Sequence, residues 1–141
     1  MSAIKGKNTK PEILVRKALH AAGFRFRLHE KKLPGKPDIV LPQYKTVIFV
    51  HGCFWHGHDG CDKFKWPKTR GRFWKNKIGG NQKRDTANKI LLLSANWRVA
   101  TIWECALGEF NERPRANVIR KMIKLLNGTR RQFVLGNQRH A

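Results

Sequence analysis

With 141 residues and 40% hydrophobic content, the chain is long enough for one domain with a packed core and too short for several. Thirty Lys and Arg against nine Asp and Glu leave a formal charge of +21, more than a solvated face accounts for. The expected partner is therefore a polyanion, nucleic acid first. The first thirty residues are too charged for a signal peptide, and no apolar run approaches membrane-spanning length. No long basic amphipathic helix offers a bulky apolar face to an acidic membrane, so no membrane role is expected. Three cysteines, an odd number, argue against a disulfide framework and point to metal binding in a reducing compartment, the cytoplasm.

In chain order, residues 1–9 read as a short basic arm with nothing to bury. Thr9-Lys10-Pro11-Glu12 fits a capping box and predicts a helix to about Ala22, stopped by Gly23, with Leu14, Ala18, Leu19 and Ala22 inward. Phe24, Phe26 and Leu28 alternate with Arg25, Arg27 and His29, the period of a half-buried strand. After a charged loop ending in Leu33-Pro34-Gly35-Lys36-Pro37, Asp38 to Leu41 reads as a short strand that begins with an acid. The turn Pro42–Lys45 leads to a buried strand at 46–50, so these two strands should form a hairpin. Phe73-Trp74 opens a helical piece expected to break at Gly79-Gly80. A second helix, about Asn81 to Ser94, should turn Ile90, Leu91 and Leu93 inward. Trp97 to Trp103 predicts a further strand. A last helix, about Arg113 to Leu126, should bury Val118, Ile119, Met122, Ile123 and Leu126, with Gly128 as its cap. The tail 129–141 is basic and expected to be loose. The sum is one α/β domain over residues 1–141, a mixed central sheet flanked by helices on both faces.

Everything else is organised around Val47–Cys61, VIFVHGCFWHGHDGC. A buried strand delivers two cysteines, three histidines, an aspartate and the pair Phe54-Trp55 to one loop, the usual way a rigid scaffold presents reactive side chains. Cys53, Cys61 and the distant Cys105, with one histidine, make an ordinary closed tetrahedral zinc set. Spacing alone leaves His51, His56 and His58 as equal candidates for the fourth ligand, and allows Cys105 to be a buried small hydrophobe. Pro37-Asp38 at the start of a strand resembles the metal-binding acid of restriction-endonuclease-like nucleases, a hard oxygen ligand on a rigid element. Pro-Asp is also common turn chemistry. The neighbouring strand ends Phe49-Val50-His51 and offers neither the second acid nor the lysine of that pattern.

LPGKPDIV, VIFVHGCFWHGH and WECAL, in that order, resemble the very short patch repair endonucleases; IKGKNTKPE and FWKNKIGGNQKRD fit as well. The resemblance covers about residues 1–107 and implies a restriction-endonuclease-like fold with a structural zinc site. It also implies an enzyme that nicks double-stranded DNA 5′ to the thymine of a T·G mismatch left by deamination of 5-methylcytosine. By that resemblance Asp38 binds Mg2+, together with a main-chain carbonyl that falls on Val50, valine here where some members have threonine. His56 matches the general base, Glu12 an acid that orients water at the metal, and His51 a histidine near the scissile phosphate. Cys53, His58, Cys61 and Cys105 match the Zn2+ ligands, with one more residue between His58 and Cys61 than in some members. Phe54, Trp55 and Trp74 match aromatic wedges beside the mismatch, Met1 falls where a minor-groove wedge is placed, and Asp85 matches a further acid near the site. Core packing for Trp74, and a solvated helix charge for Asp85, are the plain readings beside these. The expected protein is thus a monomeric, cytoplasmic, Mg2+-dependent and zinc-stabilised mismatch endonuclease, with mismatch-repair proteins as further partners. Its rivals are a zinc-stapled nucleic-acid-binding module without catalysis, and a nuclease of this fold with another DNA substrate.

Overall fold

The structure, a computed structural model, describes residues 9–61, 64–107 and 112–136. Met1, the rest of the expected basic arm to residue 8, and the tail beyond Gly136 lie outside the described residues. Helix α1 spans Lys10–Ala21 and starts as the sequence predicts, with Thr9 Oγ1 accepting from the Glu12 N–H at 3.4 Å. The carboxylate of Glu12 engages Arg16 and His29 instead of serving only as the second half of a cap. The buried positions of α1 are Glu12, Val15 and Leu19, spaced i, i+3, i+7, whereas Ala22, expected inward, is exposed.

Among the described residues five strands form one mixed sheet in the order β1-β2-β3-β4-β5. They are β1 (Arg27–Leu28), β2 (Ile39–Leu41), β3 (Thr46–His51), β4 (Arg98–Trp103) and β5 (Gln132–Leu135). The hairpin expected from residues 38–41 and 46–50 is present, with Ile39 opposite Ile48 and Leu41 opposite Thr46 across a 3-10 turn at Pro42–Tyr44. β4 then lies parallel to β3, Thr46 paired with Arg98 through His51 with Trp103. β1 is much shorter than the alternation from Phe24 predicts, and Leu28 is 38% exposed. β5 corrects the expectation of a loose tail. Phe133 and Leu135 alternate into the core while β5 pairs in parallel with β4. Arg98 braces that edge, donating to the last carbonyls of the preceding helix at Leu125 (2.7 Å) and Leu126 (3.0 Å), and to Arg130 O at 2.8 Å.

Alternate residues of the strands feed two cores, as the period of two demands. Ile39, Leu41, Ile48, Ala100, Ile102, Phe133 and Leu135 pack against Val15 and Leu19 of α1 and against Met122 and Leu126 of α4 (Glu112–Leu126). Val40, Val47 and Val99 face the other way and close on Leu92 of α2, which spans Gly71–Ser94. Helices therefore cover both faces, and each fully buried Leu or Ile side chain contributes about 2 kcal/mol. The expected break at Gly79-Gly80 does not occur, since α2 runs unbroken for 24 residues. Of the residues expected inward on α2, Leu93 does pack against this second core, partly buried, and the other two do not. Ile90 and Leu91 are 57% and 55% exposed, and Ile78 and Leu92 are the buried ones. A single helical turn, α3 (Glu104–Leu107), follows β4 directly. Among the described residues no helix is long and apolar enough to cross a membrane.

Candidate active site

The loop after β3 is built on backbone turns and then sewn to its neighbours. His56 N–H reaches Gly52 O (3.2 Å), Gly57 N–H reaches Phe54 O (3.1 Å), and His58 N–H reaches Cys53 O (2.9 Å). From α2, Asn81 Nδ2 donates to Trp55 O at 2.8 Å and Gln82 Nε2 donates to Gly57 O at 2.9 Å. Gly57 sits at φ +59, and a Cβ there would meet Gln82 Nε2 at 2.4 Å and Ile78 Cγ2 at 2.7 Å, so this approach of loop to helix requires glycine. On the other side Glu104 Oε1 accepts from the Cys53 N–H at 3.0 Å, anchoring the loop to the end of β4.

This arrangement gathers Cys53, His58, Cys61 and Cys105, whose ligand atoms all lie within 4.8 Å of one another, close enough to hold one metal ion. Cys53, His58 and Cys61 are buried, and all three cysteines are free of disulfides. Cys105 Sγ lies 3.6 Å from His58 Nδ1, and the His58 ring stacks on Trp103 at 4.0 Å. His58 Nε2 is buried without a hydrogen-bond partner among the described residues. Hydrogen bonding with the Cys105 thiol, then burial, pushes the Cys53 thiol well above the ordinary range. A cation at such a place reverses that shift by stabilising the thiolates.

A cleft of about 660 Å³ opens between the sheet and α2, and its wall includes Asp38, His51, His56 and Asp85. Asp38 precedes β2, and its Oδ2 accepts from the Val50 N–H at 2.7 Å, which brings the Val50 main chain against the carboxylate. Burial pushes the Asp38 pKa up to about 6, the Val50 hydrogen bond opposing it. Beside it, Glu12, His29 and Asp38 bring ligand atoms within 4.8 Å of one another. Glu12 is 1% exposed, with Oε2 at 2.8 Å from Arg16 and 2.7 Å from His29 Nε2.

Across the cleft, His56 Nδ1 meets Asp85 Oδ2 at 2.6 Å, the geometry of a charge-assisted hydrogen bond. The His51 ring lies flat on the His56 ring, centroids 3.8 Å apart and planes 2° from parallel. Burial first, and then the nearby His56, push the His51 pKa down to about 3, so His51 is neutral at neutral pH. Phe54, Trp55 and Trp74 form a half-buried cluster with centroid separations of 5.3 to 5.7 Å, extended through Phe64 to the exposed Trp66.

The residues singled out from the sequence thus fall into three adjoining groups. Cys53, His58, Cys61 and Cys105 form one, and Phe54, Trp55 and Trp74 another. Glu12, Asp38, Val50, His51, His56 and Asp85 make the third. Met1 lies outside the described residues. Sequence reasoning missed His29, Glu104, Asn81 and Gln82; the last three lie inside segments that carry the family resemblance, and His29 lies outside them.

The sequence profile of the family described as DNA mismatch endonuclease Vsr matches residues 1–63. The chain is 50% identical over 109 residues to the type II nicking enzyme V.XorIIP of Xanthomonas oryzae pv. oryzae, covering 77% of this chain and 79% of that protein. It is 50% identical over 107 residues to the type II nicking enzyme V.NmeAIP of Neisseria meningitidis, covering 76% of each. To the DNA mismatch endonuclease Vsr of Escherichia coli it is 46% identical over 107 residues, 76% of this chain and 68% of that protein. Identity of that level, over about three quarters of the chain and more than two thirds of each relative, shows that the chain belongs to the Vsr family of DNA mismatch endonucleases.

Proposed function

We infer that this protein nicks duplex DNA 5′ to the thymine of a T·G mismatch, as a monomer in the cytoplasm, with Mg2+ for the chemistry and Zn2+ as a structural brace. The observation that carries the reading is the His56–Asp85 pair, 2.6 Å apart, on the same cleft as the half-buried Asp38. A protein that only bound nucleic acid would have no use for an oriented imidazole on the same cleft as that carboxylate.

His56 is the general base. With Nδ1–H donated to Asp85, its Nε2 is left free to take the proton of an attacking water. His51, kept neutral, presents its face to His56 and adds no like charge when His56 takes up that proton. The groups around Asp38 suit a hard divalent ion: a carboxylate on a rigid strand end, oriented by the Val50 N–H, with Glu12 nearby and the Val50 carbonyl as the further oxygen that the resemblance implies. When bound, Mg2+ supplies Lewis-acid stabilisation of the charge that develops on the phosphate.

For Zn2+ the fit is metric as well as chemical. Zn–S near 2.3 Å and Zn–N near 2.0–2.1 Å at a tetrahedral angle place S and N about 3.6 Å apart, which is the Cys105–His58 separation found here. Cys53, His58 and Cys61 of the loop would be joined through the ion to Cys105, holding His56 and the aromatic cluster in place. Three free thiols suit a reducing compartment.

Phe54, Trp55 and Trp74 provide the wedge, and Lys65, Lys68, Arg70, Arg72, Lys75 and Lys77, all exposed on the same stretch, provide phosphate contacts. Unstacking costs least at a mismatch, so a wedge discriminates without reading base edges. The test is single-turnover nicking of duplexes that differ only in T·G against T·A, with Mg2+. The expected result is a cut strand with T·G alone. Equal cutting of both duplexes, or none with either, contradicts the reading.

A further inference from the structure

We propose that His29 is an inner ligand of the catalytic cation, making the Asp38 site a mixed nitrogen–oxygen site that takes Mn2+ more tightly than Mg2+. The proposal rests on the cation assignment to Asp38 made above and adds a ligand to it. Three observations lead to it. The ring nitrogen of His29 and the carboxylate oxygens of Glu12 and Asp38 all lie within 4.8 Å of one another. Around an octahedral ion with bonds near 2.1 Å, neighbouring ligand atoms are about 3 Å apart and opposite ones about 4.2 Å, so one ion would hold such a set after a contraction of at most about 0.6 Å. His29 Nε2 and Glu12 Oε2 are 2.7 Å apart, a hydrogen-bond separation that opens by only about 0.3 Å when an ion replaces the shared proton.

The third observation is how firmly His29 is placed. Its main-chain N–H donates to Asp38 O at 3.1 Å, continuing the register in which Leu28 faces Ile39 and so setting His29 directly opposite Asp38. It holds φ at +49, a left-handed conformation uncommon for a residue with a side chain and found where the surroundings enforce it. The strain, the pairing and the ring position all aim one imidazole at the two carboxylates. An oxygen-only site suits Mg2+, whereas an imidazole shifts preference toward transition ions.

The experiment uses the zinc-loaded full chain without DNA, titrated with Mn2+ by electron paramagnetic resonance and with Mg2+ in competition. Pulsed spectra are recorded on protein carrying 14N- or 15N-histidine. His29→Gln is the deciding variant, because the glutamine amide still donates to Glu12 but is a poor metal ligand. The expected result is a histidine-nitrogen coupling to bound Mn2+ in the wild type that vanishes in His29→Gln. Mn2+ affinity should fall about tenfold, with Mg2+ affinity within about twofold. Persistence of that coupling and of Mn2+ affinity in a variant that keeps its zinc and its melting temperature overturns the proposal and leaves His29 as a residue that positions Glu12. Absence of any nitrogen coupling in the wild type also overturns it, whether or not the variant folds. Asp38→Asn separates the two levels. If it leaves Mn2+ affinity unchanged, the cation assignment itself fails; if it abolishes binding while His29→Gln does not, only the role of His29 fails.

Discussion

Asp85→Asn and Asp85→Ala test the general-base assignment through the residue that orients His56. In the native pair the carboxylate can only accept, so at 2.6 Å it holds the proton on His56 Nδ1 and leaves Nε2 as the base. Asparagine occupies the same space but, when it presents its Nδ2–H to the ring, turns Nδ1 into the acceptor and moves the ring proton to Nε2, where it blocks the base. Alanine leaves Nδ1 to water and lets either tautomer form. A positioned base contributes about 10²–10⁴ in rate, so Asp85→Asn should lose most of that range and Asp85→Ala distinctly less. The pair is only partly shielded, with 27% and 30% of the two side chains exposed, so neither change should endanger the fold. Single-turnover nicking at saturating protein isolates the chemical step from affinity, which should improve slightly as a negative charge leaves the cleft. Rates within about threefold of wild type for both variants, or an Asn variant faster than the Ala variant, would refute the tautomer argument.

Three other outcomes follow from the same geometry. Cys105→Ala should lose the metal, measured by elemental analysis, and melt far lower, since structural zinc contributes on the order of 10 kcal/mol in small folds; a variant of normal melting temperature contradicts a structural ion. For Asp38 the folded pKa of about 6 lies above its ordinary value of 3.8, so between these pH values the folded state binds the extra proton. Stability without added Mg2+ therefore falls as pH rises through that window, by up to about 3 kcal/mol, and stays reduced above it. Asp38→Asn removes this penalty, and the difference between the two unfolding curves should grow from pH 4 to 6 and then flatten. Trp55→Ala should cut the preference for T·G over T·A by about tenfold, from stacking of roughly 1–3 kcal/mol per base, with the salt dependence of binding unchanged because no charge is lost. Full discrimination in that variant would make Trp55 a packing residue.

The parts of this fold legible in the sequence are those set by local pattern. The cap at Thr9, the hairpin joined at Pro42–Tyr44, the run of β4 and the inward face of α4 each follow from a period or a turn residue. α2 continues through Gly79-Gly80, against the pattern, because two helical glycines cost only about 1 kcal/mol each. Asn81 and Gln82, just beyond them, tie the helix to the loop carbonyls of Trp55 and Gly57. Three consecutive leucines fit more than one helical face, and only the packing of Val40, Val47 and Val99 selects Leu92. β5 was hidden because its alternation is four residues long and sits in a basic stretch. The metal-ligand cysteines announce themselves by residue type. His29 does not, because its role depends on the register that sets it opposite Asp38, and no local pattern encodes that pairing.

The central claim is that Asp38 serves chemistry and not binding. Asp38→Ala, with zinc content verified, should bind the T·G duplex as tightly as wild type or more so, since a carboxylate facing phosphate has gone. With Mg2+ it should leave that duplex uncut over many wild-type turnover times. Nicking by Asp38→Ala at a rate near wild type would contradict the account.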